Sequence, residues 1–166
     1  EGFLGINIGP NKETKNKEED YYICLSRLSM FAGYITINIS SPNTEGLRDF
    51  HDQGELKKLL TGLNKIKNEK KIECPIAIKI SPDIKDDEIS KIVELVSSHN
   101  IKGIVVSNTT DSNRNNLSDT KKNEIGGLSG QPLKDISTNL IKRFYKETKG
   151  KIKIIGVGGV DSGQSA

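Results

Sequence analysis

Only two cysteines, Cys24 and Cys74, occur in the 166 residues, which excludes a scaffold stapled by several disulfides. No run approaches the ~18 consecutive apolar residues that a membrane-crossing helix requires. No basic-then-apolar leader opens the chain either. The two histidines, His51 and His99, lack any metal-ligand spacing, so no metal centre is expected. Arginine is scarce, with 4 Arg beside 21 Lys and a formal net charge of +3. The lysines are scattered rather than clustered, which argues against a nucleic-acid partner. What remains is a lean 33% apolar content with 28% charge, ordinary for a single domain. Glu1 stands where an initiator Met would be and runs almost directly into a strand-like segment. The expectation is a piece of a longer protein.

Five short β-branched runs recur: Phe3–Ile8, Tyr34–Ile39, Pro75–Ile80, Gly103–Ser107 and Ile152–Val157. Each reads as a buried strand. Helical periodicity fills the intervals. Ile89, Ile92, Val93 and Val96 form one stripe, and Leu56, Leu59, Leu60, Leu63 and Ile66 another. Glu18–Ala32 gathers Cys24, Leu25, Leu28 and Phe31 on one side. Asp86 or Asp87 is the expected cap of the third helix, and Ser137 that of the helix carrying Leu140, Ile141, Phe144 and Tyr145. The segment Asp111–Asn123 reads as a mobile polar excursion. Strand–helix alternation predicts parallel βα units. Two architectures compete, a doubly wound open sheet and a (β/α)₈ barrel. A full barrel needs about 250 residues, so five units would make a partial one.

Every predicted strand ends in polar or glycine residues. The first carries Asn7 before Gly9, and the second ends in Asn38-Ile39-Ser40-Ser41-Pro42-Asn43-Thr44. Lys79 precedes Ser81-Pro82-Asp83, Ser107-Asn108-Thr109-Thr110 closes the fourth, and Gly156-Val157-Gly158-Gly159 the fifth. In parallel α/β folds the carboxyl ends of strands face the ligand. Loops favour Asn, Ser and Gly in any case, but Lys79 inside an aliphatic strand needs a partner. Asn offers a donor and an acceptor, suiting a flat ring with C=O and N–H groups. Lys79 would serve an anionic oxygen or a developing ring anion. Gly126-Gly127-Leu128-Ser129-Gly130 and the glycines after the fifth strand free backbone N–H groups for a phosphate. The pattern points to a phosphorylated heteroaromatic cofactor. Cys24, Cys74 and His99 read as structural; His51, in the loop after the second strand, reads as structural with ligand contact as the alternative.

The string Asn38-Ile39-Ser40-Ser41-Pro42-Asn43-Thr44-Glu45-Gly46-Leu47-Arg48 closely resembles the active-site loop of class 2, quinone-linked dihydroorotate dehydrogenases. The likeness extends, in family order, through Gly5–Lys12, Ile78–Asp83, Ser107–Thr110, Gly126–Gly130 and Gly156–Val160, and so covers essentially the whole chain. Pro10 departs from the polar residue common in relatives. The resemblance implies a (β/α)₈ barrel holding FMN at its carboxyl face. The chain is then one partial FMN-binding barrel domain over residues 1–166, with strands three to seven present. The first, second and eighth strands are missing, as is the amino-terminal helical pair that meets the inner membrane and admits quinone. The complete enzyme would be a monomer, peripheral to that membrane, oxidising dihydroorotate to orotate.

Carried over residue by residue, Ser41 matches the general base at ring carbon 5, and Thr44 a residue relaying its proton. Asn38, Asn43, Asn108 and Thr109 match substrate contacts. Asn7, Asn38, Lys79, Ser107, Ser129, Gly130, Gly158 and Gly159 match FMN contacts. The loop after Ser41, hinged at Gly46, would act as a lid. Class 1 relatives carry cysteine at the Ser41 position, so serine implies quinone as the oxidant. Two other readings stand beside this one. They are another flavin barrel acting on uracil-like rings, and a phosphate-binding barrel fragment without turnover.

Overall fold

The computed structural model describes residues 2–112, 114, 115 and 117–166. Five strands, β1 (Gly5–Ile8), β2 (Tyr34–Asn38), β3 (Ile76–Lys79), β4 (Gly103–Val106) and β5 (Lys153–Gly156), alternate with four helices. The helices are α1 (Lys17–Leu28), α2 (Gln53–Glu69), α3 (Asp86–Ser98) and α4 (Gln131–Thr148). All strand pairs are parallel, and their order in the sheet is their order in the chain. A doubly wound sheet would reverse direction at a switch point. Here it never does, and each helix packs on the next, α1 on α2 through to α4. Right-handed crossovers in unbroken order place every helix on one side. This is a sector of a β/α barrel.

The strands alternate faces as their β-branched sequences demand. Ile35, Ile37, Ile78, Ile104 and Val106 are fully buried and join the leucines of α2 in one core. The register sets Thr36, Ala77 and Gly103 in one layer of the opposite, inner face, and Asn38, Lys79 and Val105 in the next. Ala77 and Val105 are buried yet stand apart from the helix-side core, as expected of a second face. The polar residues of the strand ends rise from that inner face.

Several local expectations are corrected. The first strand begins at Gly5, because Phe3 and Leu4 are largely exposed; Phe3 stacks on Tyr34 instead. Phe31 lies in a 3-10 turn after α1 and is 63% exposed, while Tyr21 takes the buried place on the helix with Leu25. Asp86 and Asp87 are the first residues of α3 rather than its cap. There the Glu88 carboxylate accepts the Lys85 backbone N–H at 2.5 Å. Ser137 sits inside α4, buried, donating to the Val157 carbonyl at 2.6 Å. The polar excursion after β4 has its own anchor. Arg114 donates to the carbonyls of Lys122 and Glu124 at 3.1 and 2.9 Å.

Candidate active site

The register makes Asn38 and Lys79 neighbours on the last rung of the inner face. Asn38 is held from below: its carbonyl accepts the Tyr21 hydroxyl at 2.6 Å. Burial pushes that phenol far above its ordinary pKa, so it stays a donor. The Asn38 side-chain oxygen accepts from Ser40 Oγ at 3.0 Å and from Asn108 Nδ2 at 3.1 Å. Asn108 Nδ2 also donates to Ser40 Oγ at 3.0 Å, and its Oδ1 accepts the Thr109 N–H at 2.8 Å. The ends of β2 and β4 are thereby joined through two amides and a hydroxyl. Among the described residues no protein acceptor takes the Asn38 Nδ2 protons, which leaves that donor for a ligand.

Ser41 Oγ accepts the Asn43 N–H at 3.2 Å, closing a tight turn. No histidine or carboxylate among the described residues bonds to it. A serine so placed can accept a proton only if its own has a way out. Asn43 is exposed and Thr44 half-buried in the same turn. Thr109 is covered by the loop before α4. A Cβ on Gly127 would lie 1.8 Å from Thr109 Oγ1 and 3.2 Å from Pro42, so only glycine allows this approach. Ser107 is 1% exposed, and its hydroxyl donates to the Asn108 carbonyl at 3.1 Å. Its backbone N–H donates to the Val157 carbonyl at 2.9 Å, so both of its donors are taken within the fold.

Lys79 is half-buried; its carbonyl accepts the Ile39 N–H at 3.3 Å, but among the described residues its ammonium has neither hydrogen bond nor ion pair. Burial alone pulls its pKa down. An unpaired ammonium in this setting is costly, and an anionic ligand would remove the cost. A second element of the site lies at α4. Gly130 precedes the helix with φ of 76°, and Gly158 and Gly159 turn the chain after β5 with positive φ. A Cβ on Gly159 would come within 2.9 Å of the Gly130 carbonyl and 2.6 Å of Lys134 Cβ. The turn is thus pressed onto the first turn of α4, where helix N–H groups favour an anion. These features fit a phosphorylated, ring-bearing cofactor. Asn7 lies on β1 in register with Thr36, exposed, and Ser129 is exposed beside Gly130. No described hydrogen bond ties either to the Asn38–Asn108 cluster.

Sequence reasoning passes over two supports, Tyr21 and the cluster around Arg48, while His51 is structural as its position suggests. Tyr21 was hidden in a helical stripe. His51 is 7% exposed, accepting the Ser81 N–H at Nε2 over 3.2 Å and bonding the Arg48 carbonyl from Nδ1 at 3.0 Å. It is a strut between loops. Arg48, Asp83 and Asp111 form an ion-pair cluster across three strand ends. Arg48 and Asp83 stood inside conspicuous motifs, but nothing in the sequence joins them.

Fold and site together define a sector of a β/α barrel whose carboxyl face is rich in amides and bears a cation. The dihydroorotate dehydrogenase family profile matches residues 1–166. A dihydroorotate dehydrogenase (quinone) of Citrobacter koseri is 44% identical over 169 residues, covering 98% of this chain and 50% of the relative. That of Salmonella typhi is also 44% identical, over 170 residues, with the same coverage. Among solved structures, the dihydroorotate dehydrogenase of Eimeria tenella in complex with ferulenol superposes with a TM-score of 0.92 at 35% identity. That match covers 98% of this chain and 48% of the other. The ligand-free form from the same organism matches with a TM-score of 0.92 at 34% identity. The chain belongs to the dihydroorotate dehydrogenase family and spans about half the length of the curated relatives it matches.

Proposed function

We propose that the protein is an FMN-dependent dihydroorotate dehydrogenase that oxidises dihydroorotate to orotate with a quinone as electron acceptor. The observation that carries this reading is Lys79, an unpaired, half-buried ammonium beside the Asn38–Asn108 amide pair. Bound FMN would supply the two-electron redox chemistry linking dihydroorotate to the quinone. Lys79 would hold negative charge on the cofactor's pyrimidine edge. Gly130, Gly158 and Gly159, with Ser129 beside them, would take its phosphate at the α4 N-terminus, and Asn7 and Ser107 would line its ring. Asn38, Asn43, Asn108 and Thr109 would present amide and hydroxyl groups to the substrate's carbonyls, ring N–H groups and carboxylate. Ser41 would take the proton from ring carbon 5, with Thr44 and solvent as its exit.

Serine at position 41 and the quinone named for the relatives both support a class 2 reading. No helix among the described residues is long and apolar enough to cross a membrane. Peripheral association of the full-length monomer with the inner membrane belongs to the same proposal. The test is direct. The full-length protein should purify yellow with FMN and reduce a quinone analogue with dihydroorotate. A yellow protein that instead oxidises or reduces only uracil-like rings, or one that binds phosphate ligands without turnover, would overturn the reading.

A further inference from the structure

Arg48 opens a 3-10 turn, Arg48–His51, at the far end of the loop that begins with Ser41. Its guanidinium reaches across the face to two other strand ends. Nη1 donates to both carboxylate oxygens of Asp111 at 3.0 Å, and Nη2 to Asp83 Oδ2 at 3.1 Å. Asp83 is the hub. Its Oδ1 also accepts from the hydroxyls of Thr110 and of Ser112, the latter at 2.8 Å, and its Oδ2 accepts the Asp111 N–H at 3.4 Å. Thr110 is fully buried and follows Asn108 and Thr109 directly. One carboxylate after β3 therefore fixes the loop carrying two substrate-site candidates and, through Arg48, the loop carrying the base.

The remaining contacts point the same way. His51 ties the Arg48 backbone to the end of β3. From the other side, the Lys17 ammonium at the start of α1 donates to the Glu45 carbonyl, next to Gly46 with its φ of 66°. Arg48 Nε is buried with no partner among the described residues. A planar fork with two carboxylates fixes direction as well as distance. Among the described residues no hydrogen bond joins Arg48 to a substrate-site candidate.

We propose that the Arg48–Asp83–Asp111 cluster is a positioning device, locking the loop after β2 to those after β3 and β4 and so setting Ser41 against the Asn38–Asn108 pair. The proposal rests on the dihydroorotate reading of the site. In the full-length holoenzyme, Arg48→Gln and Asp83→Asn should keep FMN. They should speed amide exchange in residues 43–47 and slow flavin reduction at saturating dihydroorotate by about 10- to 100-fold, the scale on which small misplacements act. Arg48→Lys should recover part of the loss. Asp111→Asn should be milder than Asp83→Asn, because Asp111 is 54% exposed and Asp83 only 19%, and this mild variant keeps the test alive should the others fold poorly. Unchanged exchange in 43–47, or exchange raised evenly over the whole protein with the reduction rate intact, overturns the lock. If the parent itself is not reduced by dihydroorotate, the functional reading falls instead. Faster exchange confined to 43–47 would then still support the loop contact.

Discussion

Lys79 and His51 are both withdrawn from water near the strand ends, and burial lowers the pKa of each. Their partners differ. His51 has an acceptor and a donor already in place, Arg48 O and Ser81 N, so the fold needs it neutral. The Lys79 ammonium has no described partner, and an anion would supply one. Lys79→Ala in the full-length protein is therefore expected to lose FMN or to slow flavin reduction steeply. Normal flavin content with a normal rate would contradict this. For His51 the sign follows from its depressed folded pKa. Above about pH 6.5 both folded and unfolded states are neutral and no penalty arises. As pH falls below that value the unfolded chain binds a proton that the folded chain refuses, and stability drops. Denaturant midpoints between pH 7.5 and 5 should fall more in the parent than in His51→Gln. Equal slopes would show that His51 is not the buried neutral strut described.

At the scale of elements, the strands were legible because isoleucine and valine crowd them, but the ends were not. Phe3 and Leu4 look like strand residues, yet Phe3 stacks on one inner-face aromatic, Tyr34, and Leu4 is largely exposed. Ser137 looked like a cap because it precedes an apolar run. The helix starts earlier, at Gln131 with Pro132 in its first turn, and Ser137 shares a buried stripe with Leu133, Leu140 and Phe144. Its hydroxyl joins α4 to the end of β5. Asp52 is a true cap, accepting from Gly54 N at 2.8 Å and Glu55 N at 3.3 Å. Asp52→Ala should cost about 1 kcal/mol, seen in chemical denaturation; no loss would mean the α2 terminus is satisfied otherwise. Most candidate site residues were readable because they lie at or just beyond strand ends, with Ser129 and Gly130 before α4 marked by their glycine cluster. The Arg48 cluster was not, since its members lie on three loops that only strand order brings together.

At the scale of the whole molecule, unbroken strand order leaves β1 and β5 as outer strands, each with one edge unpaired among the described residues. Such edges invite pairing with other chains. The 166-residue chain expressed alone is expected to self-associate, seen as concentration-dependent sedimentation; a monomer at every concentration would contradict this. The central claim is that the carboxyl face of the sheet oxidises dihydroorotate with Ser41 as the base. Stopped-flow reduction of the flavin at saturating dihydroorotate tests it most directly, comparing the parent with Ser41→Ala and Ser41→Cys. A positioned base contributes about 10²–10⁴-fold. The alanine variant should therefore keep its FMN and slow by that factor, with cysteine retaining more of the rate. An unchanged reduction rate in Ser41→Ala would remove Ser41 from the chemistry and leave it only the turn before Pro42.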